Sequence, residues 1–174
     1  MHWTVFVRAV NVGGANRCRP AEIAKQLSKF GVINIGAVGT FVVRENVSES
    51  ALRDALVREL PPKCEIMICP GRDIIELASK DPFRGRPAGP NITRFVSVLA
   101  RRLRTPPRLP LCLPSADDPL VKIIAIEDRF VVGLYRRELK AITALGKLEK
   151  LLGVAATNRN WNTINKVVQI LNDA

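Results

Sequence analysis

A run of hydrogen-bonding side chains lies at positions 156–163, just before a helix predicted to begin near Trp161. The run reads Ala-Thr-Asn-Arg-Asn-Trp-Asn-Thr. One Asn or Thr suffices to cap a helix N-terminus, which is one interpretation of the run. An Arg beside an indole can stack on the ring or hold an anion, which is the other interpretation. Both interpretations stay open, and the candidate ligand-binding residues are Thr157, Arg159, Asn160, Trp161, Asn162 and Thr163.

A glycine-containing loop near the N-terminus could hold an anion through its backbone. Residues 11–17 read Asn-Val-Gly-Gly-Ala-Asn-Arg and join a predicted strand to a predicted helix. Glycines expose backbone N–H groups, and a helix N-terminus adds positive potential. An ordinary tight turn with positive φ is the alternative. If the loop binds an anion, the contributing residues are Arg8, Asn11, Gly13, Gly14, Asn16 and Arg17.

Groups that usually perform catalysis are sparse. His2 is the single histidine, and the carboxylate pair Asp117-Asp118 lies in a proline-rich segment where a loop turn is the simpler interpretation. We identify no nucleophile beside a base, so any catalytic residues are unknown. The four cysteines form no C-x-x-C pair and, with one histidine, give no zinc-ligand pattern. We therefore predict no metal and no cofactor.

The formal net charge of +11 indicates attraction to anions such as nucleic acid or phosphorylated small molecules. No acidic residue falls between Asp81 and Asp117. That interval holds Arg84, Arg86, Arg94, Arg101, Arg102, Arg104 and Arg108. The arginines form either a solvated face or a phosphate-binding surface. The sequence has no apolar run of membrane-spanning length and no signal peptide, which predicts a cytoplasmic protein with reduced thiols and no membrane partner.

Hydrophobic spacing in the first half predicts the order β-α-β-β-α-β, the ferredoxin-like pattern. The predicted strands cover 3–9, 32–38, 40–44 and 64–69. Pro20 opens the first helix and Gly31 closes it, whereas Ser48 caps the second and Pro61 stops it. A short helix follows at 72–79.

The second half resembles a degraded copy of the first. Strands are predicted at 93–100, 120–126 and 130–135, and helices at 141–152 and from Trp161 onward. Four prolines between 104 and 118 oppose the helix that an intact repeat would place there. We therefore predict an α+β protein of tandem ferredoxin-like (βαββαβ) α/β plaits. The expected subdomains are 1–80 and 91–174, with 81–90 as a linker.

Two segments carry a resemblance to a known family. The segment Asn-Val-Gly-Gly-Ala-Asn at 11–16, after Arg8, resembles the R-G-I-N-V-G-G-x-N signature of DUF1697, a family of uncharacterised bacterial proteins. The segment Leu-Gly-Val-Ala-Ala-Thr-Asn-Arg-Asn-Trp-Asn-Thr at 152–163 is similar to that family's L-G-V-x-A-T-T-R-N-W-N-T motif. The resemblance implies a pair of α/β plaits. The family has no established activity, so the resemblance implies no reaction.

The chain departs from the family pattern at three places, and at the first of them Ala9 replaces a Gly. The family's polar Ser and Asn are missing around Gly39-Thr40, and its later Ser is missing from the segment Arg136–Lys140. If those positions take part in a family reaction, this chain lacks their side chains.

Three functional classes fit the sequence. The first is a non-catalytic module that binds an anionic ligand, either nucleic acid or a phosphorylated metabolite, at two converging loops. The second is an enzyme acting on such a metabolite, with Arg8 and Arg159 as clamps. The third is an interaction or scaffold protein whose charge aids solubility.

Overall fold

The β-α-β-β-α-β pattern of the first half forms one four-stranded antiparallel sheet with two helices. The computed structural model describes residues 1–9 and 18–173. The elements are β1 (Trp3–Arg8), α1 (Pro20–Gln26), a 3₁₀ helix (Ser28–Phe30), β2 (Val32–Asn34), β3 (Thr40–Val43), α2 (Glu49–Glu59), β4 (Glu65–Pro70) and α3 (Gly71–Ser79). The strand order β2-β3-β1-β4 is that of a ferredoxin-like plait and confirms the predicted fold class.

Local signals in the sequence explain where these helices begin and end. The Ser48 hydroxyl accepts a hydrogen bond from the Ala51 amide at 3.2 Å, as expected of a helix cap. Gly31 ends the 3₁₀ helix at φ +61°, a conformation that favours glycine. The predicted cap at Ser48 is therefore confirmed, whereas α1 itself ends at Gln26 and Gly31 closes the 3₁₀ helix that follows it.

One face of the first sheet forms a hydrophobic core with α1 and α2. Val5, Phe41 and Ile68 lie at matched register positions on adjacent strands, and all three are buried. Ile23 of α1 and Leu52 of α2 belong to the same buried cluster. Burial of each such side chain contributes about 1.5–3 kcal/mol.

The second half forms a five-stranded antiparallel sheet. Its elements are β5 (Ile92–Leu99), β6 (Leu111–Leu113), β7 (Val121–Glu127), β8 (Phe130–Arg136), α4 (Leu139–Gly146), α5 (Leu148–Leu152) and β9 (Ala156–Asn160). In the order β6-β7-β8-β5-β9, the last four strands repeat the ferredoxin-like arrangement. The proline-rich connection between β5 and β7 contains the short strand β6 in place of a helix.

The segment 81–90 differs from the expected linker. It belongs to the second compact unit, Lys80–Asn162. Phe83, in the middle of the segment, is 2% exposed. A buried aromatic anchors this proline- and glycine-rich stretch to the second unit, because leaving the ring in water would be unfavourable.

The last helix, α6 (Trp161–Asn172), also departs from the expected subdomain of 91–174. From Thr163 onward the chain groups with Met1–Ser79 in the first compact unit. Leu171 packs so close to Gly71 that a Cβ built on the glycine would lie 2.8 Å from Leu171 Cδ2. The Arg44 guanidinium also donates to the Ile170 carbonyl at 3.2 Å. These contacts explain why α6 groups with residues 1–79 in the first compact unit.

In the part of the chain that the structure describes, no helix combines the length and apolar character needed to cross a membrane.

Candidate functional site

The polar run at 156–160 is a β-strand, which corrects its interpretation as a loop. Strand β9 lies at the edge of the second sheet and pairs antiparallel with β5. The register places Arg159 opposite Val96 and Asn158 opposite Ser97. The sequence did not predict this strand because its side chains lack the β-branched and aromatic pattern typical of strands. Pairing with β5 decides the conformation instead.

The alternation of a strand separates the polar residues of β9 into two sets. Thr157 and Arg159 are buried, whereas Asn158 and Asn160 are exposed. Successive side chains of a strand point to opposite faces of its sheet, which accounts for this alternation. The exposed amides and the buried guanidinium are thus fixed on different sides of one short segment.

The side chain of Arg159 is held by hydrogen bonds along its own strand. Its Nη1 atom donates to Thr157 Oγ1 at 2.8 Å and to the Asn158 carbonyl at 2.8 Å. Thr157 itself is 8% exposed and Arg159 is 5% exposed. Both of these acceptors are uncharged, so they orient the guanidinium without adding a counter-charge.

Burial of Arg159 removes its charge from water. This desolvation lowers the pKa of Arg159 from its ordinary value to about 10. The group still carries its positive charge at pH 7, because that pH lies far below the shifted pKa. A buried cation costs free energy that contact with an anion would offset.

The side chain of Asn158 is fixed from the neighbouring strand. The fully buried Ser97 hydroxyl donates to Asn158 Oδ1. With Oδ1 accepting, the amide nitrogen Nδ2 of Asn158 is a donor on an exposed residue. Among the described residues it has no hydrogen-bond partner, so it can serve a ligand.

An aromatic cluster lies at the junction of β9 and α6. The Phe83 and Trp161 rings meet edge to face, with centroids 5.0 Å apart and an interplanar angle of 67°. The Arg94 guanidinium carbon lies 5.4 Å from the centroid of the Phe83 ring. Arg94 Nη2 also donates to the Arg86 carbonyl at 2.9 Å, which fixes the guanidinium at this position. Trp161 as a whole residue is half-buried.

Two further candidate residues, Asn162 and Thr163, follow Trp161 in the chain. Both lie in the first turn of α6, and Asn162 is exposed. Thr163 is counted with the first compact unit, unlike the rest of the run. The structure therefore groups Thr157, Asn158, Arg159, Asn160, Trp161 and Asn162 in one unit.

Sequence reasoning missed Phe83 and Ser97, and it named Arg94 only as one arginine of the interval between Asp81 and Asp117. Phe83 is the single aromatic residue of the proline- and glycine-rich segment 81–90. An aromatic residue in such a segment could have indicated that the segment packs against a folded unit. Ser97 and Asn158 are 61 positions apart, and only strand pairing shows that they interact.

The N-terminal candidates are placed only in part. Arg8 forms an ion pair with Glu65 across β1 and β4, with Nη1 and Oε1 2.6 Å apart. Its charge is therefore already matched by a carboxylate, which argues against a dedicated clamp. The other residues of this motif, Asn11, Gly13, Gly14, Asn16 and Arg17, lie outside the described residues. Convergence of the two motifs stays a prediction.

The thiols and carboxylates give no sign of a metal site in the described ranges 1–9 and 18–173. No group of three or more His, Cys, Asp or Glu side chains there could hold a metal ion. The four cysteines, all of them described, form no disulfide bond. Burial raises the pKa of the Cys18 and Cys64 thiols, and Cys18 raises that of Cys64 further.

Comparison with known proteins supports the fold. No family model matches the chain, and no curated protein matches it. Among solved structures, the chain is similar to the conserved bacterial protein SP0830 from Streptococcus pneumoniae. The TM-score is 0.58 at 15% sequence identity, and the match covers 98% of each chain. A likeness at this identity shows that the two proteins share a tandem α+β fold along nearly their whole length.

Proposed function

We propose that this protein is a non-catalytic module that binds a small phosphorylated molecule where β9 meets α6. Arg159 carries the proposal. This residue is 5% exposed and cationic at pH 7, and its guanidinium is oriented by Thr157. Arg presents planar N–H groups that suit phosphate oxygens.

The burial of Arg159 favours a small ligand over a long polyanion. Nucleic acids are bound mainly by exposed Lys and Arg side chains that follow the phosphate backbone. A buried arginine such as Arg159 cannot follow such a backbone, but it can contact one enclosed phosphate. Contact with that phosphate would offset the desolvation that lowers the pKa of Arg159.

The residues around Arg159 suggest how the rest of the ligand is held. The exposed amide of Asn162, in the first turn of α6, would bind hydroxyl or carbonyl groups. The half-buried Trp161, whose ring meets Phe83 edge to face, would offer an apolar surface to a base or sugar. The positive end of the α6 dipole favours the phosphate further.

We propose binding rather than catalysis because amide, hydroxyl and guanidinium groups form this cluster. Such groups do not exchange protons near pH 7, as a general base must. We also propose that the chain belongs to the DUF1697 family, because its segment 152–163 is similar to that family's motif. This segment covers β9 and the start of α6. A cytoplasmic location, where phosphorylated metabolites occur, is part of the same proposal.

The proposal predicts that at least one small phosphorylated molecule binds and that a nucleoside without a phosphate does not. Calorimetric titration with AMP, ribose 5-phosphate and inorganic phosphate should show saturable binding of at least one of them, whereas adenosine should not bind. Arg159→Lys keeps the charge but loses the planar fork, and it should weaken binding about tenfold or more. Asn162→Ala, at an exposed position, should weaken binding several-fold and leave the folded state intact.

Arg108→Gln is the matched control, because it removes one exposed positive charge from the same unit. It should leave the affinity for the phosphorylated probe within about twofold of the original. Equal binding by Arg159→Lys and the original protein would refute the role of Arg159. Failure of all three phosphorylated probes would refute a small-molecule phosphate site.

Nucleic-acid binding is the second candidate, and the segment between β5 and β6 favours it. Arg104 and Arg108 are exposed there, and neither forms an ion pair with a described residue. In that case Arg108→Gln, rather than Arg159→Lys, should weaken binding to duplex DNA. The logarithm of the affinity should then fall steeply with the logarithm of salt concentration.

A further inference from the structure

The second unit contains a groove of about 600 Å³ between β6 and the helices α4 and α5. Leu113 and Pro114 line one wall, and Ala144 and Leu151 line the other. Lys147 and Lys150 complete the lining. The apolar walls and the two cations make the groove amphipathic.

The groove follows from the proline-rich connection described above. In the first unit, α1 and α2 both cover the sheet, and both contribute to its core. In the second unit, the fully described segment 100–120 contains β6 and no helix. One of the two covering helices therefore has no counterpart. Leu113 is half-buried against the core of the second unit and is left as a wall of the groove.

The two lysines carry charge that the surrounding described residues do not balance. Lys147 and Lys150 are exposed and three positions apart, so they are neighbours on one helical surface. Neither forms an ion pair with any residue that the structure describes. Glu149 is the one acidic residue of α5, and its Oε1 accepts from the Ala156 amide at 2.9 Å. That carboxylate is thus engaged by the backbone of β9.

We propose that this groove binds an anionic amphiphile, with an aliphatic chain between Leu113 and Leu151 and a carboxylate between Lys147 and Lys150. A volume of about 600 Å³ is in the range of small-molecule sites, which favours a single-chain ligand over a protein helix. Burial of the chain supplies affinity. The anionic head removes the repulsion between the lysines. This site is separate from the one proposed at β9 and α6, and it shares no residue with it.

Sodium decanoate below its micelle concentration is the probe. Backbone NMR should show saturable shifts at Leu113, Ala144 and Leu151. Acetate, which lacks the chain, and decyltrimethylammonium, which reverses the charge, should produce none of these shifts. The double variant Lys147→Glu/Lys150→Glu should weaken decanoate binding about tenfold or more, since it replaces attraction by repulsion at an exposed rim.

Lys140→Glu is the matched control, because Lys140 is exposed on α4 and does not line the groove. It should leave decanoate binding within about twofold of the original. Leu151→Ser removes an apolar wall at a half-exposed position and should weaken decanoate without unfolding the protein.

Three outcomes would overturn the proposal. The first is equal binding of decanoate and decyltrimethylammonium, and the second is unchanged decanoate binding in the double lysine variant. The third is a concentration-dependent dimer in sedimentation experiments that Leu151→Ser dissociates, because a second copy of the chain would then cover the groove.

Discussion

Replacement of Ile164 by Ala is expected to destabilise the first unit by about 2–5 kcal/mol. Ile164 lies in α6 and is fully buried. Its truncation removes apolar burial and leaves a cavity, whereas the higher helix propensity of Ala returns at most about 0.7 kcal/mol. The cavity therefore dominates. The prediction follows from the grouping of α6 with residues 1–79.

The two tryptophans allow each unit to be followed separately. Trp3 lies in the first unit, where its indole N–H donates to the Val47 carbonyl at 2.8 Å, and Trp161 lies in the second. In a Trp161→Phe background, Trp3 fluorescence during urea unfolding should report the loss for Ile164→Ala. Gln169→Ala, at an exposed position of the same helix, should change stability by less than about 0.5 kcal/mol. An unchanged Trp3 transition in Ile164→Ala would contradict the assignment of α6.

Replacement of Gly133 by Val is expected to destabilise the second unit by about 3 kcal/mol, the upper end for overpacked cores. A Cβ at this position of β8 would lie 2.7 Å from Phe95 Cε1 and 2.9 Å from the Lys122 carbonyl oxygen. The carbonyl belongs to the backbone of β7 and cannot turn aside. Phe95 is buried, and its ring centroid lies 5.5 Å from that of Tyr135. The Phe95 ring therefore also has little room to move.

Gly146→Ala is the matched control for Gly133→Val. A Cβ on Gly146, the last residue of α4, meets no atom within 4 Å. Alanine is the better helix former, so this variant should be as stable as the original or up to about 1 kcal/mol more stable. Trp161 fluorescence in a Trp3→Phe background measures both variants. A Gly133→Val protein as stable as the original would show that β7 and β8 are less tightly packed than described.

The fold could be predicted from local patterns because most elements carry their own signals. Apolar periodicity marks β1 and α2, Ser48 caps a helix, and the prolines at 104–118 explain the missing helix. Strand β9 and the grouping of α6 could not be predicted in this way. A polar strand is formed by pairing with its neighbour, and an apolar stripe does not reveal which surface will cover it.

The candidate site was predicted in its residues but not in its geometry. The sequence identified Arg159 and Trp161, but neither the burial of Arg159 nor the contact of Trp161 with Phe83 could be read from it. Phe83 and Trp161 are far apart in the chain, and their contact depends on where the sheet brings β9. The net charge of +11 indicates only that the protein attracts anions. The burial and hydrogen bonds of Arg159 favour a small phosphorylated ligand among them.

The position of α6 sets the order in which the protein can mature on the ribosome. Residues 1–79 are synthesised before the second unit, but the helix that completes their unit is synthesised after it. At roughly 5–20 residues per second, the intervening stretch takes on the order of ten seconds to synthesise. During that interval the surface around Gly71 that Leu171 later covers is open to solvent. The nascent chain therefore finishes its second unit before its first.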